Sequence, residues 1–174
     1  MTKQPYHRQN LAATIAQQAR QELEAQGVDQ LSLRQIARFL AVTPAAVYRH
    51  YPDKATLLAQ LRTDITTEIT AALHEGVLDS ADAQAMLQRL VTNLLDYAAA
   101  HPRAVAFALR EPLPVPQSLK TIVTLLTAQQ QLDVSVEQTT LAIWTFLLGV
   151  LLRTRDATVD GEWVTEQLLK LLEK

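Results

Sequence analysis

Between positions 31 and 54 the chain gathers Arg34, Arg38, Thr43, Ala45, Tyr48, Arg49, His50 and Lys54, a set dominated by cations and hydrogen-bond donors. Such groups bind oxyanions without breaking a bond, and a phosphodiester backbone asks for this inventory. Signs of covalent chemistry are absent from the sequence. His7, His50, His74 and His101 are far apart and none falls in His-Glu-x-x-His spacing. Four glycines form no Gly-x-Gly-x-x-Gly or phosphate-loop pattern. The lack of cysteine removes disulfides, thiolate nucleophiles and cysteine-ligated zinc. Asp79 and Asp82 flank an expected loop and read as solvent-facing helix caps. The expectation is therefore a binding protein and not an enzyme, with no catalytic residue, metal or cofactor.

The elements that position these cations are legible in the same segment. Leu33, Ile36, Ala37, Leu40, Val42, Val47 and Tyr51 recur at helical spacing and form a small shared core. The spacing predicts two short helices, over 32–39 and 44–50, joined by a tight turn: a helix-turn-helix. Ser32 with Gln35 predicts a capping box, with Leu31 and Ile36 as its hydrophobic staple. Thr43 before Pro44 predicts an N-cap followed by a proline at the first helical position, where the missing N–H costs nothing. Asp53 predicts the cap of a long helix reaching Glu75, with Leu57, Leu58, Leu61, Ile65, Ile69 and Leu73 facing inward.

Tyr48-Arg49-His50-Tyr51-Pro52-Asp53-Lys54, followed by Leu57 and Leu58, resembles the end of the DNA-binding domain in the TetR family of transcriptional repressors. That ending runs Tyr-x-His-Phe/Tyr, then a short turn and a lysine opening a long helix. The motif covers about 31–58, and a preceding helix over about 7–26 also fits. Ala41 stands where the family's turn usually carries glycine, a position alanine tolerates less readily. The resemblance implies that Thr43, Pro44, Ala45 and Arg49 lie near bases. Arg49 is the candidate for direct readout, since a guanidinium donates two hydrogen bonds to guanine O6 and N7; Pro44 and Ala45 offer apolar contact to thymine methyls. It further implies that Tyr48, His50 and Lys54 clamp phosphates, with Ser32 and Arg34 on the other side. A packing role for Tyr48 and a structural role for His50 stay open at this point. Lys54 at a helix start opposes the macrodipole, as expected of a cation kept for an external anion.

Charge is distributed accordingly. Residues 1–54 carry a net charge of +3 and residues 55–174 one of −5, within a total of −2. A pI near 6.1 argues against a histone-like, sequence-blind binder. At 48% hydrophobic with four glycines, the composition predicts a helical globular protein. The longest apolar run, Leu141 to Leu152, is shorter than the roughly 20 residues of a membrane span. With no signal pattern at the N-terminus, the expected location is the cytoplasm and no membrane partner is expected.

The expected architecture is all-α, with about nine helices in two domains. Residues 1–54 form the three-helix helix-turn-helix domain, with the recognition helix at about 43–50. Residues 55–174 form a helical regulatory and dimerisation domain. Its helices are expected over about 80–100, 102–110, 117–131, 135–155 and 161–173, with Pro102 breaking the first from the second. The segment 135–155 opens with the capping-box sequence Ser135-Val-Glu-Gln138 and is apolar almost all round, so it must be buried on several sides.

One short recognition helix reads too few base pairs for genomic specificity, so a homodimer on a palindromic operator in double-stranded DNA is expected. In the family the last two helices pair between subunits, which points to Leu141, Leu148, Leu152, Trp163, Leu168 and Leu172 as the interface. Trp144-Thr-Phe-Leu-Leu-Gly149 resembles a Trp-x-x-x-His-Gly motif of one TetR branch, with Leu148 in place of the histidine. A small-molecule effector is expected in a cavity drawing on Leu90, Leu94, Tyr97, Phe107, Arg110, Glu111 and Trp144. Arg110 and Glu111 read equally well as a surface ion pair. Two alternatives stay open: a nucleoid or partner-controlled regulator with no inducer, and a module whose N-terminal helices fill a protein groove.

Overall fold

A computed structural model describes residues 10–154 and 159–172. Among them the regular structure is helical: α1 (Leu11–Gln26), α2 (Leu33–Phe39), α3 (Pro44–His50), α4 (Lys54–His74), α5 (Ala83–Ala100), α6 (Pro102–Ala108), α7 (Gln117–Gln130), α8 (Val136–Arg153) and α9 (Gly161–Leu172). The all-α expectation holds. A one-turn 3-10 helix, Val28–Gln30, follows α1 and was not expected; its three residues are too few to show a period. The expected start of the first helix at residues 7–9, and the residues 155 and 173 given to the last two, lie outside the described residues.

The chain divides into two compact units, Met1–Ile65 and Thr66–Lys174. The division falls inside α4, whose Leu57, Leu61 and Ile65 are fully buried. In that unit α1 supplies a stripe at four-residue steps, Ile15, Ala19 and Leu23, all fully buried. It packs against both α2 and α3, which pack on each other. Leu33, Ile36, Ala37 and Val47 fill the space between them.

The turn between α2 and α3 is a Schellman closure. The Val42 N–H donates to the Ala37 carbonyl at 3.0 Å and the Ala41 N–H to the Arg38 carbonyl at 3.1 Å. Such a closure puts its central residue in left-handed backbone, and Ala41 has φ +53. An L-residue there costs roughly 1–2 kcal/mol. Ala41→Gly should therefore stabilise the protein by about 0.5–1 kcal/mol after the extra chain entropy of glycine. Thermal unfolding checks this as a rise in Tm of a few degrees.

In the second unit α5 packs against α7 and α9, α7 against α8, and α8 against α9. Leu87, Leu90 and Val91 of α5 share the interior with Leu119 and Ile122 of α7, Ile143 and Leu147 of α8, and Val164 and Leu168 of α9. Asn93 ties α5 to the last turn of α4 by donating to the carbonyls of Ala72 and Glu75, at 3.0 and 2.8 Å. α5 begins at Ala83, three residues later than expected, because Asp82 accepts the Ala85 N–H at 2.8 Å and sets the start there. Ser135 accepts the Gln138 N–H at 3.4 Å and caps α8 as expected.

The composition of α8 predicted burial on several sides, and the unit leaves one side open. Thr140, Ile143, Trp144, Leu147, Val150 and Leu151 point inward, while Leu141, Thr145, Gly149 and Leu152 are exposed. With 18 residues and a mean hydropathy of 1.2, α8 passes a length-and-composition test for a membrane span. Its inward residues nevertheless pack against α7 and α9, as in a core helix.

Candidate nucleic-acid interface

The cationic surface is built on α3 and on both its ends. Thr43 caps the helix, its Oγ1 accepting the Ala46 N–H at 3.3 Å, and Pro44 occupies the first turn as expected. The helix is only seven residues long, so its own hydrogen bonds cannot hold it. Val47 and Tyr51 anchor it from beneath, both buried. The Tyr51 hydroxyl donates to the Ala12 carbonyl of α1 at 3.2 Å, tying the end of α3 to the first helix. Burial, and secondarily the Asp64 carboxylate, push the Tyr51 hydroxyl above its ordinary pKa, so it remains a donor.

Thr43, Pro44, Ala45, Tyr48, Arg49 and His50 are all exposed on the outward side of this helix. Arg34, Arg49 and His50 make no hydrogen bond or ion pair with other described residues. Three nitrogen-rich side chains on one small unit, without partners among the described residues, can offer their donors to a ligand.

A shallow crevice of about 430 Å³ beside α3 is lined by Leu31, Ser32, Leu33, Arg34, Tyr48, Pro52, Asp53 and Lys54. It brings together four of the expected phosphate contacts, Ser32, Arg34, Tyr48 and Lys54, which come from three different helices or their caps. Ser32 departs from its expected local role. It has extended N-cap backbone, yet its side chain makes no capping bond, so no capping box forms with Gln35. Lys54 is partly committed, its Nζ donating to the Asp29 carbonyl at 3.1 Å. An ammonium has three donors, so two remain, and the carbonyl aims the group.

Asp53 was not expected in this crevice. Its Oδ1 accepts the Thr56 N–H at 2.7 Å and caps α4. That backbone hydrogen bond, aided by the Thr56 hydroxyl, holds the carboxyl below its ordinary pKa. The cap's stabilisation is thus present at neutral pH and is lost as pH falls through the lowered pKa. Phe39, 69% exposed at the end of α2, is the other feature that helical spacing did not single out.

The family model for bacterial regulatory proteins of the tetR family matches residues 15–61, a span that contains α2, α3 and the whole crevice. This N-terminal domain belongs to the TetR family. An uncharacterized HTH-type transcriptional regulator of Mycobacterium bovis is 37% identical over 65 residues, covering 37% of this chain and 33% of the relative. A counterpart in Mycobacterium tuberculosis is 35% identical over the same extent. The match thus spans about a third of the length of these curated relatives. Among solved structures, a protein of unknown function from Rhodococcus sp. RHA1 superposes with a TM-score of 0.79 at 27% identity, covering 98% of both chains. A TetR-like transcriptional regulator from the same organism gives 0.69 at 14% identity, covering 98% of this chain and 97% of the other. RolR in complex with resorcinol gives 0.67 at 14% identity over 97% of this chain and 90% of the other. The TetR-type fold therefore extends through both units.

The residues expected to line an effector cavity differ in burial. Leu90, Leu94, Phe107 and Trp144 are buried, and the Trp144 Nε1 donates to the Leu113 carbonyl at 3.2 Å. Tyr97 is half-buried, its hydroxyl donating to Glu68 Oε2 at 2.7 Å. Arg110 and Glu111 are exposed just past the end of α6. The residues expected at the dimer face also differ in burial. Leu168 and Leu172 lie in the core of their own unit, because α9 turns that edge toward α5. Leu141, Leu152 and Trp163 are exposed, by 57%, 50% and 49%, and Leu148 is half-buried.

Proposed function

We propose that this TetR-type chain is a sequence-specific DNA-binding transcriptional regulator that acts in the cytoplasm as a homodimer. It represses from a palindromic operator and is released from it by a small-molecule ligand. The observation that carries the DNA-binding part is the crevice joining Ser32, Arg34, Tyr48 and Lys54 beside the exposed Arg49. In this reading the crevice grips one phosphate strand, α3 enters the major groove, and Arg49 meets a base edge.

Two features support the rest. The exposed apolar residues Leu141, Leu152 and Trp163 suit a twofold partner, which would double the number of base pairs read. A ligand role draws on the shared fold of RolR, solved with resorcinol, and on the aromatic content around Phe107 and Trp144. α4 begins in the first unit and ends in the second, about 32 Å of helix common to both. A ligand that prefers one setting of that helix would shift the population between operator-competent and released states.

Selection of bound sequences from random duplex DNA tests the reading. Enrichment of an inverted repeat, with half-sites about one helical turn apart or a multiple of it, is expected. Recovery of unenriched sequence would overturn it.

A further inference from the structure

Gly27 joins α1 to the 3-10 turn Val28–Gln30 with φ +85 and ψ 163, a region of backbone space that essentially only glycine enters. A Cβ built there would meet no atom within 4 Å, so the demand is for the backbone angle and not for room. The Gly27 N–H closes α1 by donating to the Leu23 carbonyl at 2.8 Å. The chain then reverses and seats Val28 in the interior, and the Leu31 N–H donates to the Val28 carbonyl at 3.3 Å. Leu31 is buried in turn and is the first residue of the chain to line the crevice.

This turn presents the Asp29 carbonyl to the Lys54 Nζ at 3.1 Å, across 25 positions of sequence. A lysine side chain is long, and it loses much rotamer freedom when its ammonium is held in one place. Here part of that freedom is already lost before any ligand arrives. The choice of holder matters as well. A carboxylate would neutralise the ammonium, whereas a carbonyl carries only a partial charge and orients it without cancelling it. Lys54 makes no ion pair with another described residue. Its charge and its remaining donors are therefore open to an anion entering the crevice.

We propose that Gly27 is a positioning residue for the DNA interface: the turn it permits holds the Lys54 ammonium in place, so that phosphate binding does not bear the cost of ordering it. The proposal rests on the DNA-binding reading, with Lys54 as a phosphate contact. A double-mutant cycle in the full chain tests it, with Gly27→Ala and Lys54→Gln made singly and together and titrated with the selected duplex at several salt concentrations. Gly27→Ala should weaken binding about 5-fold, the scale of ordering one long side chain. It should keep the wild-type salt slope, because the untethered ammonium still reaches its phosphate. In the Lys54→Gln background it should cost nothing further. Its backbone strain should appear separately, as the same fall in Tm in both backgrounds. A merely structural role would instead leave the loss of affinity undiminished without Lys54. Val28→Ala loosens the turn without touching the Gly27 backbone, and should show the same coupling at about 2-fold. It decides alone if Gly27→Ala does not fold. Equal losses with and without Lys54, or no loss from either turn variant, would overturn the positioning role while DNA binding stands. A wild type that ignores duplex DNA would remove the DNA-binding reading and the positioning role together.

Discussion

Tyr51→Ala should cost about 3–5 kcal/mol, the range for emptying a buried aromatic site, and the loss should fall on the N-terminal unit. Tyr51 is buried at the end of α3, and its hydroxyl is bonded to the Ala12 carbonyl of α1. It is the main clamp on a helix too short to persist alone. Tyr51→Phe keeps the ring and should lose only the hydrogen bond, about 1 kcal/mol. Urea unfolding can assign the loss to a unit. Both tryptophans, Trp144 and Trp163, lie in the second unit, so their fluorescence reports that unit while far-UV circular dichroism reports both. In Tyr51→Ala the ellipticity should begin to fall at lower urea than the fluorescence changes. Coincident transitions at the wild-type midpoint would show that Tyr51 is not the clamp.

Arg49→Ala should weaken binding to a selected operator by about 1–3 kcal/mol, or about 5- to 150-fold, and should flatten the preference at one base position. Arg49 is exposed on α3 and engages no other described residue, so its removal leaves the fold intact. Lys54→Gln should behave differently. Its Nζ is held by the Asp29 carbonyl and its side chain lines the crevice, where a phosphate and not a base is the expected partner. Its loss should weaken all duplexes about equally and lower the salt slope by about one. Titrations across operator variants separate the two. Equal losses for both substitutions on every sequence would remove Arg49 from base readout.

Much of this was legible in the sequence because the N-terminal unit is specified locally. Thr43-Pro44, the Val47 and Tyr51 anchors and the Asp53 cap each depend on neighbours within a few positions, and each appears where local rules put it. Even the strain at Ala41 could be read from a turn that wants left-handed backbone. What local rules left unread has a common cause in tertiary choice. Ser32 had the right neighbours for a capping box, and its backbone is extended as at an N-cap, but its side chain makes no capping bond. Leu168 and Leu172 have the same composition as an interface residue, and only the packing of α9 on α5 shows that they face inward. Arg110 and Glu111 follow a helix that stops two residues sooner than expected, at Ala108, which leaves them on the surface. Which side of an apolar helix stays open is a property of the assembled unit, and no period within α8 discloses it.

The central claim is that the surface formed by Ser32, Arg34, Tyr48, Arg49 and Lys54 binds duplex DNA, and an equilibrium titration against salt tests it most directly. Fluorescently labelled duplex carrying the selected sequence, titrated with the full chain at several salt concentrations, should bind tightly in dilute buffer. The logarithm of its affinity should fall linearly with the logarithm of salt, with a slope corresponding to several neutralised phosphates. Absence of binding to any duplex in dilute buffer, or an affinity indifferent to salt, would contradict the account.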